Sequence, residues 1–442
     1  MPVMSTQTST PSAPCAVPSF GEALSVWGKI GLTSFGGPAG QIAMMHKVLV
    51  DEKRWLDERT YLTALSFCTL LPGPEAMQLA TYAGWRMHGT KGGLAAGLLF
   101  VLPGALVILA LSVLYALYGS VPLVSALFLG IKAAVLAIVI EALLRISRRS
   151  LKDTAEWMIA AAAFAGIFFF KIPFPLIVLA AGAIGYVRGA KNGKPAPAAG
   201  QDLAAVPLSQ TLATIALWLA IWIVPLALVA LTFGPGHVLS KLAWFYSKLA
   251  VVTFGGAYAV LAYMAQDVVQ HYGWLAPGEM LDGLGLAETT PGPLILVTEF
   301  VGFLAAYRNG GGSPLLMGTL GALVTLWATF APCFLWIFAG APYIARIATM
   351  PKLKSALSAI TAAVVGVILN LTVWFALHVI FRTVAEGQAG PVHLTVPELA
   401  SIDWTAAGLA ALAALLLFRL HAGIITTLGV CGALGVVLPC VL

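Results

Sequence analysis

Two short stretches put helix breakers and acceptors of charge where the surrounding sequence is apolar: "LPGPEAMQ", Leu71 to Gln78, and "TTPGPLILV", Thr289 to Val297. A proline has no N–H to give to the carbonyl four residues earlier, and its ring crowds that carbonyl. Pro72 and Pro74 are therefore expected to free the carbonyls of Cys68 and Leu70, and Pro291 and Pro293 those of Ala287 and Thr289. A helix restarting at Pro74 as its first helical residue turns the N–H groups of Glu75 and Ala76 into the gap, with about half a positive charge from the helix dipole. Gly36, Gly37 and Pro38, and farther on Gly255 and Gly256, read as a second pair of breaks. Helix N-termini gathered in this way bind anions.

The elements that must hold these breaks are membrane helices. Of 442 residues 60% are hydrophobic and 10% charged, against the roughly 25% charged of soluble domains. Apolar runs of the roughly 20 residues needed to cross a bilayer give an all-α polytopic membrane protein of about thirteen helices, within a range of 10 to 14. Freed carbonyls in such helices must be lined by protein or by a water-filled cavity. The N-terminal twenty residues lack a basic segment and an apolar core, so they read as a disordered tail over 1–19 and not as a secretory signal. Alternating through thirteen spans from a cytoplasmic N-terminus leaves thirteen Lys and Arg inside and eight outside. The positive-inside rule favours that orientation.

The chain also repeats itself. "SFGG" from Ser34 lies on "TFGG" from Thr253, and the same shift lays Pro72, Gly73 and Pro74 on Pro291, Gly292 and Pro293, Met45 on Met264 and Trp55 on Trp274. With about ten residues inserted near 340, Lys132 to Glu141 lies on Thr361 to Asn370. This divides the chain into a first repeat over 20–188, a linker over 189–210, a connecting helix over 211–233 and a second repeat over 238–442. An odd connecting helix makes the repeats inverted, a design of secondary transporters whose site lies near the midplane.

"GLTSFGGPAGQIA", Gly31 to Ala43, the run from Arg54 to Gly104, and in the second half "VTFGGAYAVLAYMAQ" and "GLGLAETTPGPLILV" resemble the chromate ion transporter family in its long, two-domain form. The resemblance implies export of chromate across the cytoplasmic (inner) membrane of a bacterium, and resistance to it. Gly36, Gly37, Pro38, Trp55, Pro72, Gly73, Pro74, Gln78, Arg86 and Lys132 match the family's first-half motif positions, and Phe254, Gly255, Gly256, Thr290, Pro291, Gly292 and Pro293 its second-half positions. Glu75, Ala76 and Met77 depart from the small residues that often follow LPGP in the family, so any role of Glu75 rests on physics. The candidate substrate-binding set is Ser34, Gly36, Gly37, Gln41, Pro72, Gly73, Pro74, Glu75, Gln78, Lys132, Gly255, Gly256, Thr290, Pro291, Gly292 and Pro293.

Lys29, Glu75, Lys132, Glu141, Lys248, Glu288 and Glu299 fall inside expected spans, where an ionisable group faces a cavity or a partner. Lys132, about ten residues into its span, is expected to meet the substrate or Glu75. The seven histidines and five cysteines show no ligand spacing, so no metal and no cofactor is expected. Scattered basic residues exclude a nucleic-acid track, and no GxxxxGK[ST] pattern provides for ATP hydrolysis. An intramembrane enzyme would need a clustered nucleophile and base, which the sequence does not provide. The rival reading stays within transport: import or exchange of sulfate, an oxyanion of like charge and shape. Chromate, the alternative sulfate, the lipid bilayer and a second copy of the chain are the partners considered.

Overall fold

The computed structural model describes residues 17–35, 37–192, 207–254, 257–344 and 350–441. Gly36, Gly255 and Gly256, the N-terminal tail to residue 16 and most of the linker lie outside the described residues.

The first half runs α1 (Phe20–Thr33), α2 (Gly37–His46), a π turn (Lys47–Glu52), α3 (Glu58–Cys68), α4 (Glu75–Tyr118), α5 (Pro122–Ser150), α6 (Thr154–Phe168) and α7 (Phe174–Asn192). After α8 (Leu208–Phe233) the same order returns: α9 (Val238–Val252), α10 (Ala257–Gln266), a π turn (Asp267–His271), α11 (Pro277–Thr289), α12 (Val297–Asn309), α13 (Pro314–Gly340), α14 (Pro351–Ile380), α15 (Trp404–Ala414) and α16 (Ile424–Val441). Equivalent residues make equivalent bonds. The Trp55 N–H donates to the Leu49 carbonyl at 2.8 Å and the Trp274 N–H to the Val268 carbonyl at 2.9 Å, each closing a π turn.

Among the described residues, five helices are long and apolar enough to cross a membrane by themselves: α4, α5, α8, α13 with its 3₁₀ extension to Tyr343, and α14. Apolar runs near 20–45, 240–265 and 283–306, each long enough to read as one span, are pairs of short helices in series, and that near 60–85 is α3 followed by the start of α4, so helix length does not fix the number of crossings. α4 is itself two arms, because His88 and Gly89 leave helical geometry and Gly89 takes φ +60°. The arms fold back on one another. A Cβ on Gly84 would strike the Gly92 carbonyl and Ala96, so only glycine lets them close to this distance.

One element departs from the all-α expectation. Between α14 and α15 an antiparallel hairpin pairs β1 (Val384–Ala389) with β2 (Val392–Pro397) around Gly390, which takes φ +62°. The local signal is a Gly-Pro turn between residues of mixed polarity, too short and too polar to register in a search for apolar runs. The window of α8 that is most apolar is only 17% buried. α8 therefore lies at the edge of the bundle, with Leu212, Leu217, Ile223, Leu228 and Leu231 exposed as side chains that lipid can cover.

Candidate functional site

The four breaks are joined in two reciprocal pairs. The Gly73 N–H donates to the Thr253 carbonyl at 3.0 Å, and its repeat equivalent, the Gly292 N–H, donates to the Ser34 carbonyl at 3.0 Å. Each PGP break is thus bound to the residue that opens the FGG break of the other half. Both glycines need their lack of a side chain: φ is +116° at Gly73 and +94° at Gly292, a region costing other residues about 1–3 kcal/mol.

The remaining backbone groups are met by buried amides. Gln41 Nε2 donates to the Gly292 carbonyl at 2.6 Å and to the Ser34 carbonyl at 3.2 Å, and Gln78 Nε2 to the Pro72 carbonyl at 2.7 Å. The Cys68 carbonyl, expected to be free, accepts from Leu71 N–H at 3.2 Å. Pro74 caps α4 from outside, so the first helical residue is Glu75, one later than expected, and the Pro74 carbonyl accepts the first bond from Gln78 N–H. In the second half Pro293 caps a 3₁₀ turn (Leu294–Leu296), and α12 begins only after it.

Three of the half-helix starts open on one cavity of about 380 Å³. Pro38 and Ala39 come from the first turn of α2, Glu75 from that of α4, and Ala257 and Tyr258 from that of α10. The fourth start, after Pro293, is packed away: Pro291 to Val297 are fully covered, and a Cβ on Gly104 of α4 would strike the Pro291 carbonyl. The rest of the polar lining is largely cationic. The last turns of α5 bring Arg145 and Arg149, Lys152 follows them, and the first turns of α14 bring Lys354, Ser358 and Thr361. Arg145 is tied to Glu141 at 2.6 Å. The larger groove of about 580 Å³ between α6 and α7 is walled by alanine, isoleucine, methionine and leucine with Arg188 as its one charged residue. It has no chemistry for an oxyanion.

Of the described sequence candidates, Glu75 lines this cavity. Ser34, Gly37, Gln41, Pro72, Gly73, Pro74, Gln78, Thr290, Pro291, Gly292 and Pro293 build the breaks behind it, where Ser34, Gln41, Gln78 and Thr290 are buried and hold backbone groups. Lys132 does not approach Glu75. It pairs with Asp282 of α11 at 3.3 Å, and the Tyr115 hydroxyl donates to the same carboxylate at 2.7 Å. Lys132 lies 13 residues before Arg145 on α5, about 20 Å along the axis at 1.5 Å per residue, so the two ends of α5 serve different clusters.

The sequence offers Arg149, Lys152 and Lys354 only as part of the basic count on the cytoplasmic side, and Arg145 also as an i, i+4 partner for Glu141, a pair the structure shows. Arg145 and Arg149 stand four apart on a helix that continues past the apolar run, and that spacing puts both on one face. Tyr258 was missed because its equivalent in the first half is Ala39.

The family profile described as chromate transporter matches residues 21–186 and 240–436. The chromate transport protein of Pseudomonas aeruginosa is 36% identical over 344 residues, 77% of each chain. That of Cupriavidus metallidurans is 29% identical over 346 residues, 77% of this chain and 78% of its own. A probable chromate transport protein of Synechococcus elongatus is 29% identical over 348 residues, 78% of this chain and 81% of its own. No solved structure matches.

Proposed function

Since the chain belongs to the chromate transporter family, and is a membrane transport protein and not an enzyme, we propose that it exports chromate across the bacterial inner membrane as a secondary transporter and so confers resistance. The observation that carries this reading is the cavity that joins three helix N-termini to Arg145, Arg149, Lys152 and Lys354. A tetrahedral dianion there meets backbone N–H donors and positive dipole ends on one side and side-chain cations on the other. Sulfate shares that charge and shape and is the competing substrate.

Inversion of the two repeats is part of the proposal. The last turns of α5 and the first turns of its equivalent, α14, line the same cavity, which supports opposite directions for the two. The reciprocal Gly73–Thr253 and Gly292–Ser34 bonds are those of a pseudo-two-fold axis between the halves. Placing the cavity with its Arg and Lys on the cytoplasmic side agrees with the positive-inside rule and puts the N-terminus inside.

Direction follows from the membrane potential. A dianion leaving an inside-negative cell gains about 4.6 kcal/mol per 100 mV, at about 2.3 per charge. Labelled chromate should accumulate in inside-out vesicles carrying the protein, and collapse of the potential should slow it. Absence of protein-dependent accumulation refutes export; full suppression by equimolar sulfate transfers the reading to a general oxyanion carrier.

A further inference from the structure

One buried carboxyl beside the cavity is not used by the reading above. Glu288, in the last turn of α11, is 3% exposed. Its Oε1 accepts from the Tyr258 hydroxyl at 2.7 Å, and its Oε2 is buried without a partner. Tyr258 is itself part of the cavity wall at the start of α10. A single phenol therefore stands between the oxyanion space and an unsatisfied carboxyl oxygen.

Among the described residues, the surroundings offer Glu288 no cation of its own. From α5 it is faced by Glu141 and Arg145, which are already paired with one another. Among the other elements packed on α11, α16 carries no charged residue and α14 none between Lys354 and His378. α12 brings Glu299, Tyr307 and Arg308, with Arg308 held by Glu279. α4 brings Tyr115, held by Asp282, and, at its first turn, Glu75 in the cavity itself. An ionised Glu288 would thus be a buried anion next to a site for a dianion, an arrangement that low dielectric makes costly.

We propose that Glu288 is the proton-binding group of the oxyanion cavity: it takes up a proton on Oε2 as the oxyanion binds, through the water of the cavity and past Tyr258, and gives it up as the anion leaves. The proposal rests on the cavity being the oxyanion site. A proton on Oε2 satisfies the oxygen that has no partner, leaves Oε1 accepting from Tyr258, and removes the like charge that repels the dianion. By linkage the two ligands then strengthen each other's binding equally. Proton and oxyanion occupy the site together and cross together, so the unit transported carries one negative charge instead of two.

The purified protein should be titrated with chromate over the alkaline range in which chromate stays a dianion. Wild-type affinity should fall with rising pH, at most about tenfold per unit for one linked proton, and chromate addition in weak buffer should draw protons from solution, up to one per chromate bound. Glu288→Gln, which mimics the protonated carboxyl, should bind chromate with pH-independent affinity and take up no proton. Glu75→Gln should keep the wild-type slope. Tyr258→Phe removes the bond that favours the ionised carboxyl, so the fall in affinity should move to higher pH. An unaltered slope in Glu288→Gln, or a slope abolished by Glu75→Gln alone, overturns the assignment. If Glu288→Gln does not fold, wild-type binding without proton uptake, or an unmoved pH dependence in Tyr258→Phe, overturns it equally. Failure of the wild type to bind chromate at any pH is a separate outcome that removes the oxyanion cavity itself.

Discussion

Replacing Arg149 by glutamine tests the cavity at the one feature that sequence patterning does not supply, its cationic wall. A cavity of about 380 Å³ is equivalent to a sphere about 4.5 Å in radius, so an oxyanion at its centre lies about 6 Å from a lining guanidinium. A unit charge and a dianion at about 6 Å interact by about 1.4 kcal/mol in bulk water and about 5.5 kcal/mol at an effective dielectric of 20. Arg149 is exposed, which places it toward the watery limit and discounts the larger figure. Arg149→Gln should therefore weaken chromate binding by about tenfold to thirtyfold, at about 1.4 kcal/mol per tenfold. The control is one residue away: Arg148→Gln changes net charge by the same amount, yet Arg148 is not among the residues lining the cavity. It should alter the dissociation constant less than Arg149→Gln does, since an exposed charge farther from the anion acts through water and is more strongly screened by salt. Calorimetric titration of the detergent-solubilised protein with chromate at two ionic strengths reads both variants. Equal losses in Arg148→Gln and Arg149→Gln would show that diffuse surface charge, and not the cavity, attracts the anion; no loss in either would remove the cationic wall from the mechanism.

Two further outcomes follow from the geometry. Lys132→Gln leaves Asp282 buried with Tyr115 as its one remaining partner, so it should destabilise the protein by about 3–5 kcal/mol, read as a lower thermal midpoint, with chromate affinity within about twofold of wild type; Asp282→Asn added to it should recover part of the loss. Single cysteines in the turns after Met45 and Met264, which are repeat equivalents, should react with impermeant reagents from opposite sides of the membrane, and labelling from one side alone would refute inversion.

The breaks were legible in the sequence because their cause is local. A proline cannot donate wherever it sits, and the PGP glycines announce the positive φ that the structure gives Gly73 and Gly292. What holds the breaks was not legible. Gln41 reaches Gly292 across 251 positions, and nothing in the first-half motif distinguishes an amide that binds substrate from one that satisfies a carbonyl. A separation of 150 positions likewise hid Asp282 from Lys132, so a lysine near mid-span read as meeting the substrate or Glu75, and the carboxylate it pairs with is Asp282. The cationic wall was hidden for a different reason. Arg145 ends the apolar run of α5 and Arg149 lies past it, where a hydropathy reading ends the helix; the helix in fact continues to Ser150 and carries both onto the cavity with Lys354 from a helix two hundred residues later.

The repeats share a scaffold but not its chemistry, and the difference bears on how a transporter of this design would work. The equivalents of Arg145 and Arg149 in α14 are Trp374 and His378, and those of Tyr258 and Glu288 are Ala39 and Thr69. Trp374 lines the small hollow of about 40 Å³ with Lys171, Gln266, Gln270, Asn370 and Thr395. Along α14, Asn370 stands nine residues beyond Thr361, so this hollow lies about 13 Å along the helix from the cationic cavity. If rocking of one repeat on the other exchanged the two openings, the anion would pass from four side-chain cations to a mouth with one, Lys171, whose α14 face is Asn370, Leu371, Trp374 and Leu377. Such an inequality cannot set direction, which the gradient and the potential fix, because affinity at each face cancels around a complete cycle. It sets the concentrations at which the two faces load and release. In the proposed orientation the cavity with four cations would fill at low internal chromate, and the hollow, whose lining holds one cation, Lys171, would release against higher external chromate.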